Sequence, residues 1–175
     1  CAHSAASGVT HRLHRSQGGP QRPVPVRERQ EIQEMSRIIK ESATLALSAG
    51  LLALSFHVGA LGFVAFFAFI HAFFCLEEKT SSQAFKRFFL MGLFYYALIG
   101  YWLNFVNVFG FLLLCAYLSL YFAFFGLWVR PFLASPKLRN AVFAAAIWVG
   151  LEYVRSHFLS GFPWNLTGYA WAFMP

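Results

Sequence analysis

Glu152 and Arg155 stand three residues apart inside an otherwise apolar stretch, and Trp148 stands four residues before the glutamate. Offsets of four and three bring all three side chains to one face of a helix. An ionisable residue within a membrane span is costly, so it faces a bundle interior or a polar cavity, where an opposite charge lowers its cost. The pair is therefore either a functional polar face or a structural ion pair near a membrane interface. The next residues favour function, because the polar face leads directly into Ser160-Gly161-Phe162-Pro163-Trp164-Asn165-Leu166-Thr167-Gly168-Tyr169. Gly161 and Pro163 break a helix, and Phe162 and Trp164 are aromatics suited to a membrane interface. Such backbone holds at membrane depth only where protein or water satisfies its polar groups. Residues 160–169 are thus expected to form an ordered re-entrant or interfacial loop; the plainer alternative is an aromatic belt at a helix end. Asn165-Leu166-Thr167 also matches a glycosylation acceptor, taken here as coincidence. Tyr101 and Trp102, at the end of another apolar run, are placed at the same interface, where anchoring alone would explain them.

No other residue carries comparable chemistry. Cys1, Cys75 and Cys115 are far apart, form no CxxC pair, and provide neither a disulfide framework nor a metal site. Cys75 and Cys115 lie in apolar runs, where a cysteine behaves as a small apolar residue. His57, His71 and His157 stand singly, and His11 and His14 have no partner ligands, so no metal site and no cofactor are expected. A chain beginning at Cys1 is read as a fragment rather than as a lipid-bearing terminus, and residues 169–175 end inside an apolar stretch as if cut.

The elements that position these residues come from composition. Of 175 residues, 58% are hydrophobic and only 12% charged, with 22 phenylalanines. A soluble domain carries about a quarter charged residues, so lipid is the expected solvent. The net charge of +7 does not indicate nucleic acid, because the positive residues flank apolar spans. Residues 1–41 are expected to be a basic cytoplasmic tail. It is disordered through its Gly- and Pro-rich first 25 residues, then either a short amphipathic helix on Ile32, Met35 and Ile39 or a solvated lead-in. Residues 42–175 form the membrane domain, with apolar runs at about 43–56, 61–76, 88–105, 108–129 and 138–158. About 20 residues cross a bilayer, so the first two runs are two helices turning at Phe56-His57-Val58-Gly59. Ser135 and Pro136 are expected to cap the fifth. The fold class is all-α, a polytopic bundle of about five transmembrane helices. Lys79, Lys86 and Arg87 lie in one connection and Arg130, Lys137 and Arg139 in another, while the other two connections hold no Lys or Arg. A cytoplasmic N-terminus satisfies the positive-inside rule at every alternation, and the 160–169 loop then falls at the outer leaflet.

The W-x-x-x-E-x-x-R run from Trp148 to Arg155, followed by Gly161-Phe162-Pro163-Trp164 and Gly168-Tyr169, resembles the bacterial apolipoprotein N-acyltransferases. The stretch from Phe89 to Trp102, with Gly92, Gly100 and Tyr101, is similar to that family's third span. The likeness covers roughly residues 43–175, with its specific part at 148–169. Family members often carry prolines after span one and within span two, where this chain has His57-Val58 and His71, and its basic tail is not a shared feature.

The resemblance implies an inner-membrane protein of eight spans, with a periplasmic nitrilase-like domain inserted before the last span. It implies acyl transfer from a phospholipid to the diacylglyceryl-cysteine of a lipoprotein, through a Glu-Lys-Cys set and a thioester. That set belongs to the nitrilase-like domain, so no catalytic residue is carried over to this chain, and the chain alone is expected to be inactive. Cys115 and Cys75 lie too far from the outer leaflet to stand in. What carries over is a lipid-facing platform built on Glu152, Arg155, Gly161, Phe162, Pro163, Trp164 and Trp102. The competing readings are a non-enzymatic membrane protein, such as a small transporter or complex subunit, and a degenerate remnant. A transporter is expected to show interrupted helices or midplane charges, and Glu152 sits nearer the outer end.

Overall fold

The computed structural model describes residues 25–58, 61–74, 76, 80–133, 135, 137–158 and 161–171. Apart from Pro25, the tail expected to be disordered lies outside them, as do Gly59, Cys75, Lys79, Pro136, Ser160 and residues 172–175. All described secondary structure is helical: α1 (Val26–His57), α2 (Val64–Phe74), α3 (Ser81–Ile99), α4 (Val108–Leu133) and α5 (Leu138–His157). Two short 3-10 turns, Tyr101–Phe105 and Thr167–Trp171, complete it. The chain divides into two compact units, residues 1–35 and 36–175.

In the first unit the described residues are Pro25 and the opening turns of α1. The Pro25 carbonyl accepts from the Arg29 amide at 3.1 Å. Arg27 and Glu31 pair at 3.1 Å across one turn, the i,i+4 spacing that supports an exposed helix. Ile32 and Met35 are exposed.

The second unit holds the bundle. Leu45, Ser48, Ala49 and Leu52 of α1 are buried at intervals of three and four, and in α2 the buried positions are Ala65, Ala68 and Ala72. Residues 26–41, read as either a short amphipathic helix or a lead-in to the first span, lie on one helix with that span, α1. The ion pair between Arg37 and Glu41, at 3.1 Å, carries the helix through residues that hydropathy alone does not mark. The Arg87 guanidinium also donates to Glu41, tying α3 to α1.

Helix α3 starts where a capping box allows it. The Gln83 amide donates to the Thr80 hydroxyl at 3.3 Å and the Thr80 amide donates to the Gln83 side chain at 3.1 Å. It ends where the Gly100 amide closes on the Tyr96 carbonyl at 2.8 Å. The 3-10 turn comes next, so the run expected as one span to residue 105 changes geometry at Gly100. Helix α4 opens with the Asn107 side chain accepting from the Gly110 amide at 3.0 Å, which meets an otherwise unpaired N-terminal donor. At the start of α5 the cap position is Lys137, with no side-chain cap bond. The expected cap Ser135 instead offers its carbonyl to the Asn140 side chain at 2.9 Å.

The closest pairing joins α3 to α4. A methyl group on Gly92 would come within 3.0 Å of Phe122 Cβ and of the Ser119 backbone; one on Gly126 would come within 2.7 Å of Phe88. Small residues that let two helix backbones approach are the usual device where lipid removes the hydrophobic drive. Phe88, Met91, Tyr95, Leu118, Phe122, Phe125 and Val129 fill the core between them. Among the described residues, two helices are long and apolar enough to cross a membrane, α1 and α4; α2 is a shorter apolar helix of 11 residues. Helices α3 and α5 have 19 and 20 residues, about the length that spans a hydrocarbon core.

Candidate functional site

Helix α5 carries Trp148, Glu152 and Arg155 on the face turned to the bundle. The Trp148 ring lies edge-on to Phe69, Phe122 and Phe125 at centroid distances of 4.8, 5.0 and 4.9 Å. Its one polar atom, the indole nitrogen, donates to the Thr167 hydroxyl at 2.9 Å. That hydroxyl donates in turn to Glu152 Oε1 at 2.8 Å, and the Thr167 amide donates to the same oxygen at 2.7 Å. Glu152 thus caps the short turn Thr167–Trp171 and holds it against α5. Charge-assisted bonds of this kind are roughly twice as strong as neutral ones.

Arg155 is only 4% exposed and Glu152 15%. Their closest charged atoms are 3.9 Å apart, so the expected ion pair is present but loose, and each partner is held more closely by another group. The Arg155 guanidinium donates to the Tyr96 hydroxyl on α3 and to the Asn165 carbonyl at 3.2 Å. Its carbon lies 5.9 Å from the Tyr96 ring centroid. The Arg155 backbone carbonyl accepts from the Phe162 amide at 2.9 Å. Among the described residues, Arg155 Nε has no hydrogen-bond partner. A guanidinium suits this place because its planar fork reaches two acceptors at once.

The loop is folded by two left-handed residues, Gly161 at φ 76° and Asn165 at φ 53°. At Gly161 a Cβ would stand 2.2 Å from the Ser156 carbonyl oxygen, so the turn off α5 admits glycine alone without rearrangement. The Gly161 amide donates to the Phe158 carbonyl at 3.0 Å. Phe162 packs against the core, while Pro163 is exposed. Trp164 reaches Trp102, with ring centroids 6.0 Å apart and planes at 40°. The two tryptophans help to line a cavity of about 150 Å³, walled also by Tyr96, Leu114, Phe162, Asn165 and Cys115, which had been expected to lie away from this end.

Glu152, Arg155, Gly161, Phe162, Trp164 and Trp102 therefore gather at one end of the bundle, and Pro163 joins them at the surface. Sequence reasoning missed Tyr96, Asn165 and Thr167. Tyr96 has no spacing relation to Arg155, which lies 59 positions away. Thr167 had a readable signal, as a short hydroxyl side chain in a loop that comes after a buried acid. A Thr167→Val variant removes the hydroxyl and keeps the shape. It leaves the Trp148 indole N–H unpaired and is expected to cost about 1–3 kcal/mol, read as a lower unfolding midpoint in detergent.

The sequence model of the apolipoprotein N-acyltransferase N-terminal domain matches residues 48–175. An apolipoprotein N-acyltransferase of Geobacter metallireducens is 34% identical over 134 residues, which cover 70% of this chain and 26% of that relative. The chain spans about a quarter of the length of the curated relative it matches.

Proposed function

This chain belongs to the apolipoprotein N-acyltransferase family, and we propose that it supplies the membrane platform on which such an enzyme presents lipid to its catalytic domain. The reaction is transfer of an acyl chain from a phospholipid to the N-terminal diacylglyceryl-cysteine of a lipoprotein. The catalytic Glu-Lys-Cys set lies outside this chain. In this reading residues 1–41 are cytoplasmic, residues 42–175 cross the bacterial inner membrane about five times, and the 161–171 loop lies at the outer leaflet beside bound phospholipid and the lipoprotein acceptor.

The observation that carries the reading is the bonded chain Trp148–Thr167–Glu152, set beside Arg155–Tyr96 and Arg155–Asn165. A membrane protein retains buried charge at a cost, set by insertion experiments at about 2.5–3.5 kcal/mol per residue. Here that charge is used to fix one loop, and the loop presents Trp164 beside Trp102. Aromatic side chains with a polar edge settle at the headgroup level, so a pair of adjacent tryptophans is suited to hold a lipid at a set depth.

The test is Trp164→Ala in the full-length protein, with lipoprotein N-termini analysed by mass spectrometry. Trp164 is 55% exposed, so its loss should spare the fold. The expected result is accumulation of diacylglyceryl lipoprotein lacking the amide-linked chain, with N-acylation slowed about tenfold, or ~1.4 kcal/mol, at normal protein level. Unchanged N-acylation contradicts the reading.

A further inference from the structure

Tyr96 on α3 is 4% exposed, and its ring packs against Tyr95 and Phe122 at centroid distances of 4.9 and 5.8 Å. A phenylalanine would fill that space equally well. A hydroxyl in a core is costly unless it is bonded, and this one accepts from Nη1 of Arg155. The other terminal nitrogen of Arg155, Nη2, has two oxygens near it. It donates to the Asn165 carbonyl at 3.2 Å and lies 3.9 Å from Glu152 Oε1. That Glu152 oxygen already accepts from the Thr167 amide and hydroxyl, at 2.7 and 2.8 Å. Moving Nη2 about 1 Å toward Glu152 would close the ion pair to an ordinary charge-assisted length.

We propose that Tyr96 is a positioning residue for the 161–171 loop: its hydroxyl holds the Arg155 guanidinium on the Asn165 carbonyl and keeps it from closing on Glu152. A guanidinium is planar and rigid, so a bond at Nη1 sets where Nη2 points. Opposite charges away from water attract strongly, so a pair left open needs a group to hold it apart. Tyr96, on a different helix from both charges, is that group. Without the hydroxyl, Arg155 closes on Glu152 Oε1 and competes there with Thr167. The loop then gives up its Asn165 bond and weakens its Thr167 bonds. Asn165 directly follows Trp164, so Trp164 loses its fixed place beside Trp102. The bearing of Tyr96 on acyl transfer rests on the platform reading above; its hold on the loop does not.

The test is Tyr96→Phe in the full-length protein, followed by amide hydrogen exchange and mass spectrometry. Phenylalanine keeps the ring and its packing and removes only the hydroxyl. The expected result is exchange about tenfold faster in a loop peptide covering residues 162–169, with peptides from α4 unchanged. The unfolding midpoint should move little, because a closed Arg155–Glu152 pair replaces the lost bond. Tyr95→Phe is the matched control. Tyr95 is 2% exposed and makes no hydrogen bond to Arg155, so loop exchange should stay at the wild-type rate. Wild-type loop exchange in Tyr96→Phe overturns the proposal. So does equal acceleration in the loop and α4, or a variant that does not fold, since either makes Tyr96 a core residue only. Lipoprotein N-acylation is measured on the same variant and should slow severalfold. A loosened loop with N-acylation at the wild-type rate leaves the positioning role standing and contradicts the platform reading instead.

Discussion

Arg155→Ala is expected to lower the stability of the purified protein in detergent by about 3–5 kcal/mol, the usual cost of breaking a buried charged pair from one side. Arg155 is 4% exposed, and its guanidinium binds α3, α5 and the loop together, through Tyr96, Glu152 and Asn165. Alanine leaves the Tyr96 hydroxyl without this donor and the Glu152 carboxylate without its balancing positive charge. The Phe162 amide still has the Arg155 backbone carbonyl, so the turn off α5 survives and the damage falls on the α3 contact. Arg155→Lys is the informative companion. It restores the charge but not the fork, since an ammonium cannot span two acceptors in that fixed plane. It should recover roughly half of the loss, measured by the unfolding midpoint of each variant.

Gly161→Ala is expected to cost on the order of 3–4 kcal/mol from two sources. An L-residue in the left-handed region costs roughly 1–2 kcal/mol, and the Cβ would stand 2.2 Å from the Ser156 carbonyl oxygen. That oxygen belongs to helix backbone and cannot turn aside, so the loop must shift. The bonds of the Gly161 and Phe162 amides to α5 and its end, at 3.0 and 2.9 Å, are then lost, each worth about 0.5–1.5 kcal/mol. The expected signature is a helical bundle that persists by circular dichroism, with a loop that protease cuts between Gly161 and Thr167. An uncut loop and an unchanged midpoint contradict this account of the turn.

Composition and apolar run length were enough to read an all-helical membrane bundle, because hydrocarbon permits few alternatives to helix. The run beginning at Val108 starts where α4 starts. Other ends moved for reasons that hydropathy does not register. Helix α3 begins earlier, at Ser81, because Thr80 and Gln83 form a capping box. Helix α1 extends back to Val26 on paired charges. Helix α4 continues to Leu133 past Pro131; the proline removes one N–H bond to the preceding turn, but only two residues of helix follow it.

The candidate site was legible in part. Spacing placed Trp148, Glu152 and Arg155 on one face, and Gly161 marked a turn. Spacing cannot find partners on another helix, which is why Tyr96 was missed. The Glu152–Arg155 pair that spacing suggested is present at 3.9 Å, and each side chain is held more closely by the loop or α3. Trp102 and Trp164 were assigned to one interface from topology alone, and their rings lie 6.0 Å apart.

Glu152→Gln in the full-length protein tests the platform most directly, with lipoprotein N-acylation measured at matched protein level. Glutamine keeps an oxygen for Thr167 and removes the charge that strengthens that bond and balances Arg155. The predicted result is N-acylation slowed about tenfold, with diacylglyceryl lipoprotein accumulating. N-acylation at the wild-type rate would mean that the charged cluster only stabilises the bundle, and would contradict a role for it in presenting lipid.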